Sequence, residues 1–159
     1  PDRGDSLYRR GLYVFWCRTL LHPSAQNFDA CTREEGTAER SPSNTPLQAL
    51  TLLNDPTYVE AARVLGERIV CEGGPGFDAK LDWAFVRALS RTADPAEHLV
   101  LAGLYARERQ RFEADPAAAS EMAGVGERPA TEEAATPEIA AWSSVARAIL
   151  NLHESIVRN

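Results

Sequence analysis

Cysteine is scarce: Cys17, Cys31 and Cys71 are the only three in 159 residues. None belongs to a Cys-x-x-Cys pair or a Cys-x-x-Cys-His segment. The spacing therefore excludes a zinc ribbon and the usual covalent attachment of haem within this stretch. The odd count leaves two readings, three unpaired buried thiols or a Cys17–Cys31 bridge, of which the first is the simpler. Histidine is as thin. His22, His98 and His153 each lack a second His or carboxylate at the spacing of a metal motif, so no metal site is expected. No apolar run approaches the roughly 18 residues that cross a bilayer, so no membrane span is expected. Basic charge is in deficit, with 17 Lys and Arg against 23 Asp and Glu and a net charge of -6. That balance argues against a nucleic-acid partner or an anionic membrane. There is no Met at position 1 and no signal peptide, which reads as a segment of a longer protein.

What is present is helix punctuation. A hydrophobic content of 44% with 25% charged residues suits one soluble globular domain over residues 1–159. Thr45-Pro46-Leu47-Gln48 reads as a capping box with proline at the first helical position, and Asn54 as its stop. Asp55-Pro56 starts a second helix whose apolar face is Tyr58, Ala62, Leu65 and Ile69, with Glu60, Arg63 and Glu67 placed elsewhere. Gly73-Gly74-Pro75-Gly76 ends it, and Asp78 is the expected cap for a stripe of Leu81, Phe85 and Leu89. Asp94-Pro95-Ala96-Glu97, Asp115-Pro116 and Thr136-Pro137-Glu138 open three more. The last carries Ile139, Trp142, Val145, Ile149, Leu152 and Ile156 on one face. Each helix is one-sided and must pack on the others.

The expected fold is mainly α, a helical bundle with an irregular N-terminal third. Residues 1–44 form that third, 45–123 are helical, 124–136 are a flexible linker, and 137–159 are the C-terminal helix. Leu12 to Trp16, rich in aromatic and branched side chains, leans towards a short strand. His22 to Ser43 shows no periodicity and reads as a long loop.

Asn44-Thr45-Pro46-Leu47-Gln48-Ala49-Leu50, followed by Leu53-Asn54-Asp55-Pro56, closely resembles the core motif of the PSD1 domain, also known as DUF1553. Arg9-Arg10-Gly11-Leu12-Tyr13-Val14-Phe15-Trp16-Cys17-Arg18-Thr19, Phe28-Asp29-Ala30 with Arg33-Glu34, and Leu150-Asn151-Leu152-His153-Glu154 resemble the family's flanking segments. The resemblance implies a domain near the C-terminus of large planctomycete proteins that carry cytochrome c-type segments. It implies haem c elsewhere in the parent and no cofactor here, upstream domains as partners, and an exported or envelope-associated location. It brings no established activity. The chain departs from the family where a Cys near Gly36 and a basic run before Asn44 are expected, and where His153 replaces an Asp.

Three groups of residues are candidate sites. Asp29, Glu34 and His153 are the carboxylates and imidazole to test for acid–base chemistry. Salt bridges and one packed ring are the blander explanation. Tyr13 and Trp16 with Arg10 form an aromatic and basic patch suited to stacking a ligand, or simply to a core. Asn44, Thr45, Pro46, Gln48, Asn54, Asp55, Pro56, Asn151 and Glu154 read as a structural motif, with Asn151 and Glu154 bonding across to the hinge. The leading expectation is a non-catalytic structural or interaction domain of a larger exported cytochrome c-bearing protein. The alternatives are part of a composite enzyme site for carbohydrate or redox chemistry, and a binding module using the aromatic patch.

Overall fold

The computed structural model describes residues 4–9, 11–13, 21–31, 36, 38, 43–130 and 135–156. Two 3₁₀ turns, Gly4–Tyr8 and Gly11–Tyr13, precede eight helices. These are α1 (Pro23–Asn27), α2 (Pro46–Asn54), α3 (Pro56–Glu72) and α4 (Phe77–Leu89), then α5 (Pro95–Ala114), α6 (Pro116–Ala123), α7 (Pro137–Leu150) and α8 (His153–Ile156). Six of them carry proline in the first turn, where a missing N–H costs no hydrogen bond. Side-chain caps from Thr45, Asp55, Asp94, Asp115 and Thr136 form where the sequence places them, and those of Thr45 and Asp94 close as reciprocal boxes.

The mainly helical reading holds, and the short strand does not. Gly11–Tyr13 is a 3₁₀ turn, and no strand occurs among the described residues. Val14 to Trp16 lie outside them. Within the expected loop, Pro23 fixes the first φ of a short helix, α1. Asp78 is not a cap: α4 starts two residues earlier, after Gly76 at φ +81, leaving Asp78 inside its first turn. The C-terminal helix breaks in two at Asn151, because the Asn151 N–H closes onto the carbonyls at the end of α7 and Ser155 Oγ donates to the carbonyl of Ile149.

Helix α7 is the axis of the core. Ile139, Trp142, Val145 and Ile149 are buried as the stripe predicts, joined by Ala140, Ala141, Ser143 and Ala146. Leu81, Ala84 and Phe85 of α4, Leu101 of α5 and Ile69 of α3 complete the main cluster, while Phe112, Ala119 and Ala140 seal the junction of α5, α6 and α7. Phe77, Tyr105 and Trp142 pack ring to ring at 4.9–5.4 Å between centroids. Helices α3 and α7 share the most extensive contact. It is possible because Gly66 has no side chain: a Cβ there would sit 2.6 Å from Ser143 Oγ and 2.7 Å from Ser143 N.

Candidate functional site

The motif residues converge on Gln48. Its side chain is 1% exposed and uses every polar atom it has. Oε1 accepts the Thr45 N–H at 3.1 Å, while Nε2 donates to the Asn27 carbonyl (2.8 Å), to Ser43 Oγ (3.0 Å) and to Asp29 Oδ2 (3.4 Å). Asp29 has φ +56, a left-handed conformation that Asp tolerates better than most residues. That turn lets its carboxylate accept both the backbone N–H and the hydroxyl of Ser43, each at 2.7 Å. These bonds hold the Asp29 carboxyl below its usual range. Asn27 Nδ2 donates to Thr51 Oγ1 (3.2 Å), and Phe28 meets the Tyr58 ring edge-on at 6.0 Å. The result is a latch that fixes α1 against α2 and brings the two ends of the 30–42 stretch together. Asp29, a candidate acid or base from sequence, is here a structural acceptor with both oxygens occupied.

The latch leaves one face of α2 uncovered. Leu47 and Leu50, three residues apart on the same side of the helix, are 54% and 55% exposed. Asn54 and Asp55 end α2 and start α3 as expected, with Asn54 Nδ2 donating to the Leu50 carbonyl and Asp55 accepting the Thr57 N–H. The bond that reaches this hinge from the other end of the chain comes from neither Asn151 nor Glu154. Arg147 of α7 donates to the Leu53 carbonyl, and Asn151 Oδ1 is buried with no partner among the described residues. Glu154 instead receives Arg91 (2.7 and 2.8 Å), which also grips Glu97 (2.7 and 2.8 Å). Arg91 pulls Glu97 down to about 2 against the cost of burial, and lowers Glu154 as well. The closing motif thus ties α8 to the α4–α5 connection.

A second polar cluster went unseen in the sequence. Glu60, Arg63 and Glu67, placed by periodicity off the apolar face, are 3%, 1% and 9% exposed. Glu60 Oε1 accepts the Tyr8 hydroxyl at 2.7 Å, and Oε2 accepts the backbone N–H groups of Glu127 and Arg128. Arg63 donates to Glu67 and to the Arg128 carbonyl. Burial works against ionisation of Glu60, yet the Tyr8 and main-chain bonds and nearby Arg63 hold its carboxyl below the usual range. Burial, then the bond to Glu60, pushes Tyr8 up to about 12. Residues 127 and 128 are therefore pinned by a clasp, where a flexible linker was expected. The partners lie more than 50 residues from Glu60 along the chain, so no local period could reveal them. Glu60 three residues before Arg63, itself four before Glu67, is the only local signal, and it reads equally well as a solvated face.

The remaining candidates do not assemble. His153 is exposed at the start of α8, which packs on α4 and α7, away from the Asp29 latch. Glu34, Arg10 and Trp16 lie outside the described residues, and Tyr13 is 67% exposed. His98 sits between Asp78 and Asp82 at 3.4 and 3.3 Å, one carboxylate at each ring nitrogen, so the three do not converge on a point. Among the described residues no group of three or more His, Cys, Asp or Glu is arranged to hold a metal ion. None of the described helices is long and apolar enough to cross a membrane. Cys31 and Cys71 carry free thiols, and Cys17 lies outside the described residues.

The family described as PSD1, protein of unknown function (DUF1553), matches residues 1–105, which takes in the latch, the hinge and Glu60 to Glu67 but stops short of α6, α7 and the closing motif. No curated protein matches the chain, and no solved structure matches it.

Proposed function

The chain belongs to the PSD1 (DUF1553) family of proteins of unknown function, and from that premise we propose that it is a non-catalytic interaction domain. In this reading it lies near the C-terminus of a larger, exported, cytochrome c-bearing protein and packs against the domains upstream. The observation that carries the reading is the division of labour on α2. Its buried motif residue Gln48 is spent inward on the latch and on the Thr45 capping box, while Leu47 and Leu50 face water. Paired exposed leucines on a helix held rigidly from behind offer apolar area and little else, and apolar area is what a packing partner recovers.

Hydrogen exchange tests the packing. In the intact parent polypeptide the α2 amides are expected to exchange at least tenfold more slowly than in the isolated chain. Leu47→Asp combined with Leu50→Asp should erase that difference without lowering the melting temperature of the isolated chain. Equal exchange of α2 in the two contexts would sink the reading. The cytochrome context is checked apart from it. A pyridine haemochrome assay on the intact parent should report haem c, and a parent without haem removes that part alone.

A further inference from the structure

A groove of about 590 Å³ runs between the first 3₁₀ turn, the outer side of α3 and the 127–129 segment. Its size falls in the range of small-molecule sites, roughly 300–1,000 Å³. The floor is apolar, built from Ala61, Val64 and Leu65, with Pro129 beside it. The Tyr8 ring, 48% exposed, forms one wall.

The polar side chains around this floor are nearly all hydrogen-bonded within the protein. Glu60 is saturated by Tyr8 and two main-chain N–H groups. The Glu127 carboxylate accepts the Gly4 N–H at 2.8 Å. Arg68 is held by Glu72 at 2.8 and 3.1 Å. Arg128 differs. Its N–H donates to Glu60 and its carbonyl accepts Arg63, so its main chain is fastened on both sides. Its guanidinium is exposed and makes no hydrogen bond or ion pair with any described residue. A cationic residue thus lines an apolar trough with no hydrogen-bond or ion-pair partner for its side chain among the described residues.

We infer that the groove binds a small amphipathic carboxylic acid, its apolar body on Ala61, Val64 and Leu65 and its carboxylate on Arg128. The Arg–carboxylate pair sets orientation and selects against neutral analogues, while the floor supplies the burial. This site is independent of the α2 face and stands whether or not that face docks to a partner.

Decanoate is the probe, with decanol as its uncharged counterpart, both below the concentration at which they form aggregates. The full 159-residue chain is titrated and followed by amide NMR. Expected are saturable shifts confined to residues 60–65 and 127–129, with decanol at least tenfold weaker. Arg128→Glu should weaken decanoate at least tenfold and leave decanol unchanged, whereas Arg128→Lys restores most of the affinity. Among the described residues the fold uses only the main chain of Arg128, so these variants are expected to keep their melting temperature. Val64→Trp, which fills the floor, should abolish both ligands. Equal affinity for decanoate and decanol, full decanoate affinity in Arg128→Glu, or shifts that never saturate would each overturn the assignment.

Discussion

Gly66 marks the closest approach of the two helices that share the largest contact, and the side of α7 it meets is backbone as well as side chain. A methyl group at 2.7 Å from Ser143 N cannot be accommodated by turning a rotamer; the helices must part. Gly66→Ala gains helix propensity, worth about 1 kcal/mol at most, but forces overpacking that typically costs about 1–3 kcal/mol. The net expectation is destabilisation, read as a lower denaturation midpoint at unchanged m-value. A more stable variant would mean that α3 and α7 are not locked at this crossing. Nothing in the sequence around Gly66 announced this role, since a glycine inside a helical pattern signals only a local cost. Its purpose lies in Ser143, 77 positions away.

At the level of the element, the starts of helices were legible and their surroundings were not. Thr45, Asp55, Asp94, Asp115 and Thr136 could be named as caps because an N-cap is a contract between residues two or three apart. Gln48 closes its box as the spacing implies, yet its bonds to Asn27, Asp29 and Ser43 depend on how the chain returns to α1. The same limit hid the burial of Glu60 and Arg63 and the seat of Glu154 on Arg91. That last contact gives α8 a pH dependence. Glu97 falls from 4.5 to about 2 in the folded protein, and Glu154 is lowered too. A depressed carboxyl stabilises the fold above its ordinary range, and the contribution disappears as pH drops through the folded value. Protection of the α8 amides should therefore be full near neutrality and decline as pH falls below the ordinary carboxylate range through the lowered pKa of Glu154. Arg91→Met should lower that protection at neutral pH and flatten its acid dependence. A variant with the wild-type profile would show that α8 is held by Leu152 and its packing alone.

Across the whole molecule, α3 is gripped by segments that lie before and after it in the chain. Tyr8 reaches Glu60 from the N-terminal turn, and the 127–128 main chain reaches the same carboxylate from beyond α6. Removing residues 1–9 strips one ligand of Glu60 and the Gly4 bond to Glu127. The expected result is faster hydrogen exchange at the Glu127 and Arg128 amides, about 120 residues from the cut, with the α7 amides unchanged. Unaltered exchange at 127 and 128 would mean that Glu60 and Arg63 suffice to hold the segment. The latch at Asp29 has a different kind of reach. Because Asp29 and Ser43 are joined by bonds of 2.7 Å, the intervening stretch is anchored at both feet independently of what it contains. Closing such a loop costs only a few tenths of a kcal/mol more for each few residues added, about 0.6 kcal/mol per doubling. In closure entropy, then, the number of residues between Asp29 and Ser43 weighs little beside the latch bonds that set where the two ends meet.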